Sequence, residues 1–379
     1  MRGGARRPPA RRTLCTLSVR PRAPTKQMGL FQQPASGRSE RTLRRAPRSA
    51  QSVSAAPAPD PPLVSVVLPT YNRACLIGRS LRSALAQTLT DLELIVVDDG
   101  STDDTPALLG EVSDARVRVF RLDENRGASR ARNAGIERSR GDWVAFLDSD
   151  DEWEPAKLDR QLGRARADPS AGLVYCGYER RDQVTEHRAT PRWPLHEGDV
   201  LDHLLAGWRF PTALAMVRRA ALLEVGGFSA DLDCYEDYDL WLRLAAARHR
   251  FAVVDEPLVI KHHHAGDHAS GDPAVRQRCL AVLDARWGSL VRERLGPAAH
   301  RHWKRSLEAG IHLARFMQVR QALARGDRRS AWRGCLALGR RPWRSRRFLA
   351  QALVLTLLGR APYRLLARAW TAAIGGGTP

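Results

Sequence analysis

Lysine is nearly missing from this chain: Lys26, Lys157, Lys261 and Lys304 are the only four among 61 basic residues, and arginine supplies the rest. The loop G-x-x-x-x-G-K-[ST], which cradles nucleotide phosphates, needs a lysine with fixed neighbours, and none of the four has them. No G-x-G-x-x-G follows the first apolar run either, so both common phosphate-binding loops are excluded. The six cysteines (15, 75, 176, 234, 279 and 335) form no C-x-x-C and no paired spacing. That pattern argues against a zinc site or a disulfide framework and fits a reducing compartment. No stretch reaches the ~18–20 apolar residues of a membrane span. No apolar segment follows the early arginines, so a secretory signal is not expected, and Met28 is an alternative start. The protein is therefore expected in the cytoplasm.

Acidic residues are scarce only at the ends. Residues 1–60 hold 13 basic against two acidic residues, and residues 301–379 hold 17 against two, while 61–300 hold 31 against 37. The formal charge of +20 thus belongs to the two ends, and the middle carries −6. A nucleic-acid-binding protein would line a folded groove with basic residues and aromatic platforms. Here the ordered middle has the opposite sign, so no specific nucleic acid is expected. Residues 1–60 are rich in Arg, Pro, Ala and Ser without apolar periodicity, and too little can be buried there to offset ordering entropy. They are expected to be a disordered basic tail.

From residue 63 the chain alternates. The β-branched runs LVSVVLPTY (63–71), LELIVVDDG (92–100), VRVFRL (117–122) and DWVAFLDSD (142–150) read as strands. Helical spacing follows each, over 73–87, 103–112, 127–139 and 155–167, and AGLVYCGYE (171–179) reads as a further strand. Strand alternating with helix predicts βαβ units and a mostly parallel α/β sheet with helices on both faces. The pattern is less regular after 180, and from about 274 the signals are helical, which predicts an all-α C-terminal region over 271–379.

Two of the predicted strands end in carboxylates. In an open parallel sheet ligands bind at the carboxyl ends of strands. Asp98 and Asp99 end the second strand, Asp148 and Asp150 the fourth, and Thr70, Tyr71 and Asn72 the first. Asp148 and Asp150, spaced i and i+2 in extended chain, point to the same side. Two hard oxygen ligands suit Mg²⁺ or Mn²⁺. Asp-rich turns also cap helices, so either cluster alone has a plain structural reading; their coincidence on one rim favours a site.

VSVVLPTYNR (64–73), ELIVVDDGSTDDT (93–105), NRGASRARNAGI (125–136), GDWVAFLDSDDEWEPAKL (141–158) and YEDYDLWLRL (235–244) occur in that order. The set resembles the family 2 glycosyltransferases, inverting enzymes of the GT-A fold that use nucleotide-diphosphate sugars, over about residues 63–270. The resemblance implies that Thr70 and Tyr71 line the base pocket and that Asp99, beside Asp98, accepts a hydrogen bond from the base. Arg132 would face the diphosphate, where a guanidinium suits phosphate oxygens. Asp148 and Asp150 would form the DxD element holding Mn²⁺ or Mg²⁺, with Asp150 the preferred direct ligand. Asp237 matches the catalytic base, with Glu236 beside it; acids in a first helical turn also interact with the helix dipole. His264 would complete the metal shell, although His262 and His263 leave the register open. Asp267 departs from the small polar residue usual there.

The implied reaction moves a sugar, from a UDP-sugar for preference, to an acceptor hydroxyl in one displacement with inversion, in cell-surface glycan or glycolipid synthesis. The acceptor would be a polysaccharide, a lipid-linked sugar or a protein. SRRFLAQALVLTLLGRAPYRLLARAW (345–370) has an apolar face between arginines, which suits either peripheral contact with an anionic membrane or packing in a helical bundle. A sugar-nucleotide pyrophosphorylase is disfavoured because PTYNRACLIG offers no Gly-rich phosphate loop. A glycosyltransferase-like protein without activity remains the alternative.

Overall fold

The computed structural model describes residues 60–182, 188–263, 272–339 and 352–353. The expectations for the tail at 1–59, for His264 and Asp267, and for most of 345–370 lie outside the described residues.

Short β-branched runs flanked by polar turns form the first half of the sheet, as their pattern predicts. β1 (Val64–Thr70), α1 (Ile77–Leu85), β2 (Leu92–Asp98), α2 (Thr105–Gly110), β3 (Val117–Arg121), α3 (Ala128–Arg138) and β4 (Trp143–Phe146) follow in chain order. The four strands lie side by side in the order β3-β2-β1-β4, all neighbours parallel. Every residue of β1, β2 and β4 is buried, which is why these segments read as continuous apolar runs rather than alternating ones.

The second half is built differently. β5 (Glu152–Trp153), α4 (Lys157–Ala167), β6 (Ala171–Asp182), β7 (Arg188–Ala189), α5 (Leu201–Leu205), β8 (Met216–Arg218), α6 (Arg219–Glu224), α7 (Glu236–Ala246) and β9 (Arg250–His263) continue the chain, with one turn of 3-10 helix at Thr212–Leu214. The sheet runs on from β4 through β8, β6 and β9 to β5, with β7 paired to β6. β6 and β9 are parallel, whereas β8 runs antiparallel to both β4 and β6, and β5 antiparallel to β9. β9 escapes an alternation test because Asp255, Glu256 and Pro257 interrupt it. Its register with β6 shifts there, between Cys176 and Tyr178.

The helical signal from 274 corresponds to α8 (Pro273–Ala324), broken at Gly296 (φ 86°) ahead of Pro297, and to α9 (Arg328–Gly339). Asp272 caps α8 by accepting from the Ala274 amide at 2.7 Å. Cys279, Leu280, Leu283, Trp287, Val291, Trp303 and Leu307 of α8 lie in the same hydrophobic core as the strands. The compact unit that begins at Pro59 therefore runs on through residue 270 into the C-terminal helices. A second, small cluster joins the end of α8 to α9 through Phe316, Val319, Ala331 and Cys335. Among the described residues no helix is long and apolar enough to cross a membrane.

Candidate active site

The ends of β1, β2 and β4 form one rim, and backbone geometry fixes it. After β2 the chain turns through Gly100 (φ 73°), where a Cβ would stand 2.7 Å from the Glu124 carbonyl carbon, so only glycine fits. Asn72 (φ 50°) closes the gap from β1: its side-chain oxygen accepts from the Thr102 amide at 2.8 Å, and its own amide donates to Ser101 Oγ at 2.9 Å. Asp103 accepts from the amides of Thr105 and Ala74 at 3.0 and 3.2 Å, which holds its carboxyl below the usual range despite partial burial. Part of DDGSTDD is thus a turn-making device.

Asp98 and Asp99 are both buried. One oxygen of Asp98 accepts from the Ser101 amide at 3.0 Å; the other is buried with no hydrogen-bond partner and lies 3.6 Å from Arg121 Nε. Asp99 spends both oxygens on backbone, accepting from the Arg126 amide at 2.9 Å and the Gly127 amide at 2.8 Å. It therefore anchors the entry to α3 as well as facing the rim. Burial raises its pKa against those two hydrogen bonds, and Asp98 beside it adds to the rise. Thr70 is buried with its hydroxyl unpartnered, and Tyr71 is exposed at the rim.

Arg132 joins the two halves of the molecule. α3 lies close on the sheet because residue 135 is glycine; a Cβ there would stand 2.4 Å from a Val67 methyl. From this helix the buried Arg132 guanidinium donates to Asp148 Oδ1 at 2.7 Å and to Glu236 Oε1 at 2.8 Å, and it lies 5.3 Å from the Phe228 ring centre. Burial alone would lower its pKa, but Asp148 and Glu236 more than offset this and raise it. Its Nε has no partner.

The loop after β4 is fastened by α1, with Arg79 donating to the Asp150 carbonyl and Ser80 to the Asp151 carbonyl, each at 2.7 Å. Two residues that the sequence reading passed over now enter. The antiparallel register pairs Glu152 with Ile260, which sets Asp151 opposite Lys261. The Lys261 ammonium is hydrogen-bonded to the Asp151 carboxylate and stands 3.6 Å from Asp148 Oδ2. Burial, with Asp150 and Asp148 nearby, pushes the Asp151 carboxyl up to about 7 even against Lys261. His262 is paired with Glu152 at 3.1 Å. The sequence signal for Lys261 is its rarity, one of four lysines in the chain, directly ahead of three histidines.

At the other side α7 opens on Glu236 and Asp237. Tyr235, just before them, is held at φ 61°, a left-handed conformation costly for a side chain of this size. Its hydroxyl donates to the Leu307 carbonyl of α8 at 2.8 Å. Asp237 accepts from the Tyr238 amide at 2.7 Å. Burial first, then the Glu236 charge, pushes its carboxyl up to about 7. A cavity of about 230 Å³ adjoins, lined by Arg126, Ser129, Leu232, Asp233, Glu236 and Val275. Glu236 rather than Asp237 is among its lining side chains.

Five carboxylates (Asp148, Asp150, Asp151, Glu236 and Asp237) thus surround two cations, Arg132 and Lys261. The surplus of negative charge and the oxygen-only donor set suit a hard divalent cation such as Mg²⁺ or Mn²⁺. Among the described residues, however, no three His, Cys, Asp or Glu side chains are gathered closely enough to hold one by themselves. Such an ion would rest on fewer carboxylates and complete its shell with water or phosphate oxygens.

The family model for Glycosyl transferase family 2 matches residues 65–226. The chain is 51% identical over 106 residues to the succinoglycan biosynthesis protein ExoO of Rhizobium meliloti, covering 28% of this chain and 30% of that one. It is 31% identical over 237 residues to the uncharacterized protein MT1568 of Mycobacterium tuberculosis, covering 59% and 74%. Several curated relatives are spanned over less than two thirds of their own length. Among solved structures, S. aureus TarS 1-349 in complex with UDP-GlcNAc aligns with 70% of this chain and 88% of its own, at a TM-score of 0.49 and 18% identity.

Proposed function

The chain belongs to glycosyl transferase family 2 and is a transferase enzyme, and from that premise we propose that it moves a sugar from a nucleoside-diphosphate donor, UDP-sugar for preference, to an acceptor hydroxyl with inversion. The observation that carries this reading is the Asp148–Arg132–Glu236 bridge, with Asp237 beside it. It joins the strand-end carboxylates of the donor rim to the start of the helix bearing the proposed base.

In this reading the donor base lies by the exposed Tyr71, at the end of β1 beside Asp98 and Asp99. The diphosphate lies over Asp148 and Asp150. A divalent cation bound by these two carboxylates supplies charge neutralisation for the leaving diphosphate. Arg132, buried and bonded to Asp148 and Glu236, adds a fixed positive charge where negative charge develops. The acceptor enters by the cavity between α3, α7 and α8. Asp237 takes the acceptor's proton as its oxygen attacks the anomeric carbon and the diphosphate leaves. A carboxyl titrating at about 7 suits that role, because a base works best when its pKa is near the working pH. The relative ExoO is a succinoglycan biosynthesis protein, which supports a glycan-forming pathway here.

The test is thermal melting with UDP, GDP, dTDP and CDP, each with and without Mn²⁺, beside the Asp150→Ala variant. Ligand at ~100 Kd adds about 2.7 kcal/mol, a readable shift. A metal-dependent shift with one nucleotide, lost in the variant, supports the reading and names the donor base. No shift from a folded protein removes it. The anomeric configuration of the product, read by NMR, then decides inversion.

A further inference from the structure

The seat beside the strand-end carboxylates already holds a cation. Lys261 extends from β9 so that its ammonium is hydrogen-bonded to Asp151 and stands 3.6 Å from the Asp148 oxygen that Arg132 does not use. We propose that Lys261 is a resident counter-cation with which a divalent ion must share the Asp148–Asp151 carboxylates, so that metal and nucleoside diphosphate bind as a coupled pair. The proposal rests on the metal-binding reading of Asp148 and Asp150.

The two cations of the site differ in kind. Arg132 is a planar fork satisfied at both ends, on Asp148 and Glu236, and it is buried. Lys261 is a point charge on a flexible stem, with three rotatable donors and partial exposure. Removing one carboxylate partner leaves it another. A divalent ion entering alone meets the ammonium at close range, and like charges so placed repel strongly where water is scarce. A diphosphate changes the balance, because its oxygens offer both cations a shared anionic partner. By linkage, whatever the diphosphate does for the metal's affinity, the metal does for the diphosphate's.

The measurement is Mn²⁺ binding to the full chain, followed by the paramagnetic signal of the free ion, with UDP as the diphosphate probe. The wild-type protein is expected to bind Mn²⁺ weakly alone and at least about tenfold more tightly with UDP. Lys261→Met is expected to bind Mn²⁺ alone about tenfold more tightly than wild type, a change of ~1.4 kcal/mol, and to gain less from UDP. Lys261→Gln, which keeps a hydrogen-bond donor for Asp151, carries the same expectation should the methionine variant fail to fold. Unchanged or weaker Mn²⁺ binding by these variants, with wild type still responding to UDP, overturns the role of Lys261 and leaves the metal reading standing. No Mn²⁺ binding by any of the proteins, with or without UDP, overturns both.

Discussion

The two carboxylate clusters on the rim look alike in sequence and are satisfied in opposite ways. Asp98, Asp99 and Asp103 accept from backbone amides of the turns around them, five such bonds in all. Asp148 and Asp151 face the side-chain cations Arg132 and Lys261. A carboxylate bonded to backbone fixes a shape and cannot let go without unmaking the turn. One bonded to a side-chain cation can exchange that partner for another charge. The first cluster therefore builds the rim, and the second is where a charged ligand can act.

Substitutions can separate these two roles, and the largest effect is expected at the proposed base. Asp237→Asn should cut turnover by ~10²–10⁴-fold while circular dichroism is unchanged. A loss below tenfold would transfer the role elsewhere, with Glu236→Gln the next variant to assay. Arg132→Ala leaves Asp148 and Glu236 facing each other without their cation, and urea melting should register a loss of about 3–5 kcal/mol. A loss below 1 kcal/mol, by the same measure, would mean that the bridge is made only when ligand is bound. Asp99→Ala orphans two amides at the entry to α3 and should cost about 1–3 kcal/mol, independent of added Mn²⁺. A metal-dependent change in that variant would erase the contrast between the clusters.

The pH dependence comes next. Only the ionised Asp237 can take a proton, so kcat/KM should rise about tenfold per pH unit up to about 7 and then level. An acid limb near 4 would mean that burial does not govern this carboxyl. The fold favours its protonated form, so its contribution to stability is whole below about pH 4 and is lost as pH rises through about 7. Comparing the urea midpoints of wild type and Asp237→Asn at pH 5 and pH 8 reads that difference directly. The smallest effect is expected for Asp103→Ala, about 0.5–1.5 kcal/mol, with nucleotide binding retained.

The first half of the molecule was legible because local pattern and final position agree. Strands buried on both faces need continuous apolar runs, and the helices between them need one apolar face, so β1 to α4 can be placed to within a few residues. β5, of two residues, and β8, of three, are too short to show any period. β9 is long, but its acidic bulge breaks the pattern that would reveal it. The same divide runs through the site. Asp98, Asp99, Asp148 and Arg132 lie in segments whose structure is local, and the rim gathers them. Asp151 and Lys261 meet only through the β5–β9 register, which is set by tertiary pairing. Nor does a helical signal after 274 say that α8 packs into the sheet's core.

The Tyr235 hydroxyl bond to Leu307 has a consequence for the order in which the protein is made. The donor rim is complete once the chain has been synthesised through β9. The bond that props the left-handed turn ahead of Asp237 joins Tyr235 to a residue 72 positions further on. Leu307 lies 44 residues beyond the end of β9 at His263, so at synthesis rates of about 5–20 residues per second the interval is roughly 2–9 s. For that time the nascent chain has its rim carboxylates, while the turn that aims the base still lacks its support from α8.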